Sequence, residues 1–294
     1  MIKIENDKLI VLINEYGAEL KSVVRKDNEI EYIWPGTSGS FKKSAPNLFP
    51  FIGNIANGEV DYPVDGERKI LPMTKHGFAR DLEFKLIENN QTKAIFELTP
   101  SEYTKERYPY KFSFKVIYEL KDDILTHEYI VENMDSNTMY YHVGGHTAFY
   151  CNFNGDLNFE NYYLNFESEK CRLYKLDERN NAFLSKDFEE VDIPKKFNLS
   201  KEKFKKDALV FDGMKSSVVN IKHENSNHGI EFIFENLPVL TLWTNVDSSE
   251  FICLEPWAGI TDFTENSSKV EDKKYIQILN SFEIKRYSQN IRFY

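Results

Sequence analysis

Glu255 stands in Phe251-Ile-Cys-Leu-Glu-Pro-Trp257-Ala-Gly259, with four apolar residues ahead of it and a rigid Pro-Trp behind. The apolar run predicts a buried strand. A carboxylate in that setting needs a hydrogen-bonding partner or a chemical task, because desolvating its charge is costly. Unpaired desolvation would raise its pKa and suit it to proton transfer. His76 lies in Lys75-His-Gly-Phe-Ala-Arg80. Gly77 permits close backbone approach, which would let His76 face a cleft while Phe78 packs beneath; a surface loop histidine is the alternative. Tyr140-Tyr-His142-Val-Gly-Gly-His146-Thr-Ala-Phe149 carries two more. A regular strand would put His142 and His146 on one face, but Gly144-Gly145 suggests a bulge that re-aims the chain. H-x-x-x-H invites a zinc reading. The helix and adjacent Glu of the metalloprotease pattern are missing and no local motif adds a third ligand, so no metal is expected. Acid–base or sugar-binding work suits an imidazole better here. Trp243, in Leu240-Thr-Leu-Trp243, either offers an apolar platform to a ligand or packs in the core.

Two histidines and one embedded Glu, without a second comparable carboxylate, point to general acid–base catalysis rather than glycoside hydrolysis, which needs a matched carboxylate pair. Gly-rich phosphate loops and a G-x-S-x-G elbow are both absent, which argues against nucleotides and against that class of serine hydrolase. A net charge of −10 argues against nucleic acid or an anionic membrane as partner. Cys151, Cys171 and Cys253 are widely spaced and odd in number, so neither a disulfide framework nor a zinc knuckle is expected. No signal-peptide core follows Met1, and no apolar run reaches membrane-spanning length. A cytoplasmic protein, a monomer or weak homodimer, is the expectation.

The elements that must position these groups are strands. Leu9–Ile13, Glu29–Trp34, Leu82–Ile87, Ala94–Leu98, Phe112–Leu120 and Ile124–Val131 carry strand patterns rich in Tyr, Phe, Val and Ile, as a pleated, half-buried surface requires. Val60–Val64 and Glu67–Leu71 flank Asp65-Gly66, a two-residue hairpin signal. Helical periodicity is confined to Ser200–Lys206, one or two turns with Ser200 as N-cap and a solvated lysine face. Residues 151–200 form the least regular stretch. With no repeat and no linker, the 294 residues predict a single all-β domain, a large antiparallel β-sandwich with few short helices.

Taken in order, Gly17-Ala-Glu-Leu20, Asn47-Leu-Phe-Pro-Phe-Ile-Gly53, His76-Gly-Phe-Ala-Arg80, Gly144-Gly-His-Thr-Ala-Phe149 and Cys253-Leu-Glu-Pro-Trp257 resemble the aldose 1-epimerase (galactose mutarotase) family, nearest its LacX-like branch. The resemblance spans nearly the whole chain. It implies a β-sandwich with an open cleft for a pyranose, and cofactor-free interconversion of α and β anomers. By the same resemblance Glu255 is the base at the anomeric hydroxyl, His146 the acid at the ring oxygen, and His76 a substrate-binding group that polarises that oxygen. Asp207 matches a sugar-hydroxyl-binding position, and Arg80, Asn54, Trp257 and Phe149 complete the expected sugar-binding set. The chain departs from the branch at Asn54, where Arg is usual; losing a forked cationic donor bears on sugar affinity and identity. The expected substrate is a free hexose. A hexose phosphate, or sugar binding without turnover, are the alternatives.

Overall fold

The computed structural model describes residues 1–36, 41–153, 155–167, 169–180, 182–247 and 250–294. Its frame is two large antiparallel sheets. In spatial order, one runs Lys196–Asn198, Tyr162–Phe166, Val218–His223, Gly229–Glu235, Ile284–Phe293, Ile124–Asn133, Phe112–Lys121, Lys93–Leu98, Lys85–Asn89. The other runs Leu184–Ile193, Glu169–Leu176, Leu209–Asp212, Val239–Trp243, Phe251–Ala258, Val143–Gly145, Asn47–Leu48, with Thr147–Tyr150 also paired on Phe251–Ala258. The all-β sandwich expected from the alternation is what forms. Apolar residues of alternating parity meet between the sheets; Phe149 of one packs edge-on against Phe232 of the other at 5.5 Å. One core cluster runs from Ile4 to Phe293.

Phe251–Ala258 is buried along its whole length. Ile252 and Leu254 face the sandwich interior with the main cluster. Phe251, Cys253, Glu255 and Trp257 face outward, and loops roof that second face. A strand covered on both sides has no reason to alternate, which is why its sequence reads as an apolar run. Asp65-Gly66 makes the expected hairpin between Glu59–Val64 and Glu67–Pro72, both turn residues having positive φ (55° and 79°).

Three local expectations are corrected. Glu29–Trp34 is not a continuous strand but two isolated bridges, Glu31 to Val24 and Ile33 to Phe149. The Glu31 carboxylate accepts from the backbone N–H groups of Val23 and Ile33, taking the place of ladder bonds. Residues 151–200 hold four strands; Leu184–Ile193 is exposed through its middle, and an edge strand with little to bury leaves little pattern to find. Lys201–Phe204 is a 3₁₀ turn whose Ser200 makes no side-chain cap bond. The one α-helix among the described residues is Glu102–Lys105, closed by a capping box between Ser101 and Thr104. Among the described residues no helix is long and apolar enough to cross a membrane.

Candidate active site

On the roofed outer face of the second sheet lies a cleft of about 380 Å³, at the small end of the range for small-molecule sites. Register places its groups. Val143 pairs with Ala258 and Gly144 with Trp257; beyond a one-residue gap Thr147 pairs with Leu254. The two short strands share one register, so His146, in the gap between them, falls opposite Glu255. On the other side of Glu255 the neighbouring strand puts Thr241 directly opposite. The double glycine serves this arrangement. A Cβ on Gly144 would come within 2.5 Å of Trp257 Cδ1 and 2.7 Å of the Pro256 carbonyl. Gly145 leaves its carbonyl free to accept from Trp257 Nε1 at 3.0 Å.

His76 arrives from a separate turn. Its φ is 64°, an uncommon conformation for a side chain with a Cβ. Its N–H donates to the Gly53 carbonyl and its Nδ1 accepts from the Gly53 N–H at 3.1 Å. Nδ1 being the acceptor, the neutral ring carries its hydrogen on Nε2 and presents a donor. Gly77 is required because a Cβ there would sit 2.3 Å from the Phe49 carbonyl. Phe78 packs beneath, against Phe49, Tyr108 and Phe112. The His76 and His146 rings stand edge to face at 5.7 Å. Phe41 stacks on His146 at 5.1 Å, and Trp243 meets its edge at 5.8 Å.

The central contact is His146 Nε2 to Glu255 Oε2, 3.3 Å. Glu255 is 1 % exposed and His146 8 %. Burial pushes the Glu255 carboxyl well above the usual range; Lys75 and Arg80 pull it down and Asp207 adds to the rise. Burial pushes His146 down to about 3, with the Arg80 and Lys75 charges in the same direction. His76 goes down through burial, His146, Arg80 and Lys75. Burial thus favours a neutral pair holding one proton, and Glu255 Oε2, 3.3 Å from the imidazole but without a hydrogen-bond partner, is left able to accept one.

Asp207 and Arg80 also line the cleft, as do Asn54 and Trp257. Asp207 is held at φ 134°, and its carboxylate accepts the Ala208 N–H. Asn54 Nδ2 donates to the Ala182 carbonyl at 2.6 Å, while its backbone N–H donates to Thr261 Oγ1. Phe149 lies elsewhere and is corrected: it is fully buried in the sandwich core. His142 is also buried apart from the cleft, against Phe51 and Gly259, so H-x-x-x-H does not converge. A different trio, His146, Cys253 and Glu255, has one ligand atom each within 4.8 Å of the others. Cys253 fits a metal poorly: burial, then Glu255, holds its thiol proton well above the usual range, and Trp34, Ala148 and Phe251 enclose it. Sequence reasoning missed Phe41 and Thr241 as cleft residues. A wider groove of about 570 Å³, around Met214, Leu237 and Lys285, contains none of these groups.

The molecule has known likenesses. It is 31% identical over 294 residues to the chromosomal LacX protein of Lactococcus lactis subsp. lactis, covering 99% of this chain and 98% of that one. A galactose mutarotase related enzyme from Lactobacillus acidophilus superposes with a TM-score of 0.93 at 26% identity, covering 100% of this chain and 97% of that one. A galactose mutarotase-like protein from Lactobacillus casei gives 0.91, again at 26% identity and with both chains covered completely. The aldose 1-epimerase family pattern matches residues 1–287, and the chain belongs to that family.

Proposed function

We propose that the protein is an aldose 1-epimerase that interconverts the α and β anomers of a free hexose of the galactose or glucose type. The observation that carries the reading is the 3.3 Å contact between His146 and Glu255 inside the cleft, with the His76 ring beside it. Mutarotation needs one group to take the proton of the anomeric hydroxyl while another gives a proton to the ring oxygen. As carboxylate, Glu255 takes the O1 proton; as imidazolium, His146 gives its proton to O5. The C1–O5 bond breaks, C1 becomes a carbonyl carbon, and the pair is left neutral, the form that burial favours. Rotation about C1–C2 and reversal of both transfers close the ring on the other face. The pair holds one proton before and after, so the step balances without a cofactor. His76 donates its Nε2 hydrogen to O5, and Trp257 and Trp243 offer apolar walls to the ring. Polarimetry on fresh α-D-glucose and α-D-galactose tests the reading. Enzyme that leaves both rates at their spontaneous values defeats it, and calorimetric sugar binding without anomerisation would mark a sensor instead.

Lys75 and Arg80 at the cleft favour a second reading, a hexose phosphate as substrate, because a phosphate seeks cationic donors. Glucose 6-phosphate assayed beside glucose separates the two.

A further inference from the structure

Thr241 pairs directly with Glu255, and His146, in the break between Val143–Gly145 and Thr147–Tyr150, lies at the matching register on the other side, so the three form one row across the cleft floor with Glu255 in the middle. Directly opposed residues in antiparallel strands share a face, with Cβ atoms roughly 4.5–5.5 Å apart. The two outer members therefore flank the carboxylate on opposite sides. Thr241 is 1 % exposed, lines the cleft, and its Oγ1 is buried without a hydrogen-bond partner. Among the described cleft residues this sets it apart from Thr261, whose hydroxyl accepts the Asn54 N–H. Burying a hydroxyl unbonded is unfavourable, and the Thr241 backbone is fixed on both sides by ladders to Leu209–Asp212 and Phe251–Ala258, so a partner has to come to that position. A group held rigid and unsatisfied at the wall of a cleft is suited to a ligand's hydrogen bond.

The row has the same order as the substituents around the anomeric carbon. In a pyranose, C1 carries O1 and is bonded to O5 on one side and to C2 on the other. With O1 at Glu255 and O5 at His146, the C2 hydroxyl falls on the Thr241 side. We propose that Thr241 is the residue that reads the C2 hydroxyl of the sugar, making the enzyme selective for aldoses oxygenated at C2 over their 2-deoxy counterparts. The inference rests on the epimerase reading, which fixes where O1 and O5 lie.

The test compares glucose with 2-deoxyglucose by catalysed mutarotation, each corrected for its spontaneous rate, in wild type, Thr241→Val, Thr241→Ala and Thr241→Ser. The readout is the ratio of kcat/KM for the two sugars, in which any inactive fraction of a preparation cancels. One neutral hydrogen bond corresponds to a ratio of roughly 10 in the wild type. Val and Ala should bring it close to 1, and Ser, which keeps the hydroxyl, should restore it. A wild-type ratio near 1, or a Val variant that keeps the wild-type ratio, overturns the inference while leaving the epimerase reading intact. If the wild type binds sugar without turning it over, the same ratio is taken from dissociation constants and judged in the same way. Wild type that neither binds nor converts either sugar overturns both readings.

Discussion

His127 and His146 are matched in burial and pKa and opposite in surroundings. Each is pushed down to about 3 chiefly by burial. His127 sits inside the nine-stranded sheet, stacked on Tyr118 at 4.5 Å with Tyr129 at its edge. Neither of its ring nitrogens has a partner, although the amide of Gln289 lies opposite. His146 has a carboxylate at 3.3 Å and an opening to one side. A depressed imidazole therefore says only that water has been excluded. Chemistry needs a second group to exchange a proton with and room for the molecule that completes the exchange.

The sharpest way to break the comparison is to remove the counter-group. Glu255→Gln keeps the shape and removes proton acceptance; kcat/KM for glucose or galactose should fall about 10³-fold, with the circular dichroism spectrum unchanged. His146→Gln should cost about 10²-fold in the same assay. Were either variant to retain near wild-type rates, the His146–Glu255 contact would be structural, like the His127 environment.

A pH profile sharpens the contrast further. On the proposed mechanism, activity requires one proton in the pair. A second proton must go onto His146, which burial resists down to about pH 3. The shared proton is lost only as pH rises through the Glu255 value, which burial has raised above the usual carboxylate range. So kcat/KM should show no acid limb near the ordinary imidazole value and should fall as pH rises through the raised Glu255 value, and the residual activity of Glu255→Gln should lack that falling limb. An acid limb near 6.5, the ordinary imidazole value, would mean that His146 titrates as though in water.

Smaller effects should follow from supporting positions. Gly144→Ala places a methyl against Trp257 and the Pro256 carbonyl. It should lower stability by about 1–3 kcal/mol in urea unfolding and reduce kcat, since His146 is two residues on. The smallest effect belongs to His127→Phe. No hydrogen bond is lost there, so Tm should move by no more than about 3 °C and kcat/KM by less than about twofold.

The sequence makes the sandwich legible because strands half-buried against one core alternate, and turns such as Asp65-Gly66 need residues that tolerate positive φ. It conceals Leu184–Ile193 because an exposed edge strand has little apolar surface to pattern. Glu255, His146 and His76 stand out as polar groups in apolar or glycine-marked settings. Phe149 shares a segment with His146, yet three residues along an extended chain is an odd step. Odd steps reverse the face, so the spacing itself would have sent Phe149 into the core. Thr241 gives no signal of its own in one dimension; a threonine between leucines is an ordinary strand residue until the register sets it beside Glu255.

Asn54 occupies a place where a longer, charged side chain is usual in the branch that the sequence resembles, and its short amide is committed to the carbonyl of Ala182, another residue of the cleft lining. This ties two segments of the cleft lining together, with Thr261 accepting the Asn54 backbone N–H. A wall tied in this way works as a mould rather than a clamp. On the epimerase reading, a sugar would meet a wall already at its working distance and lose little to its ordering.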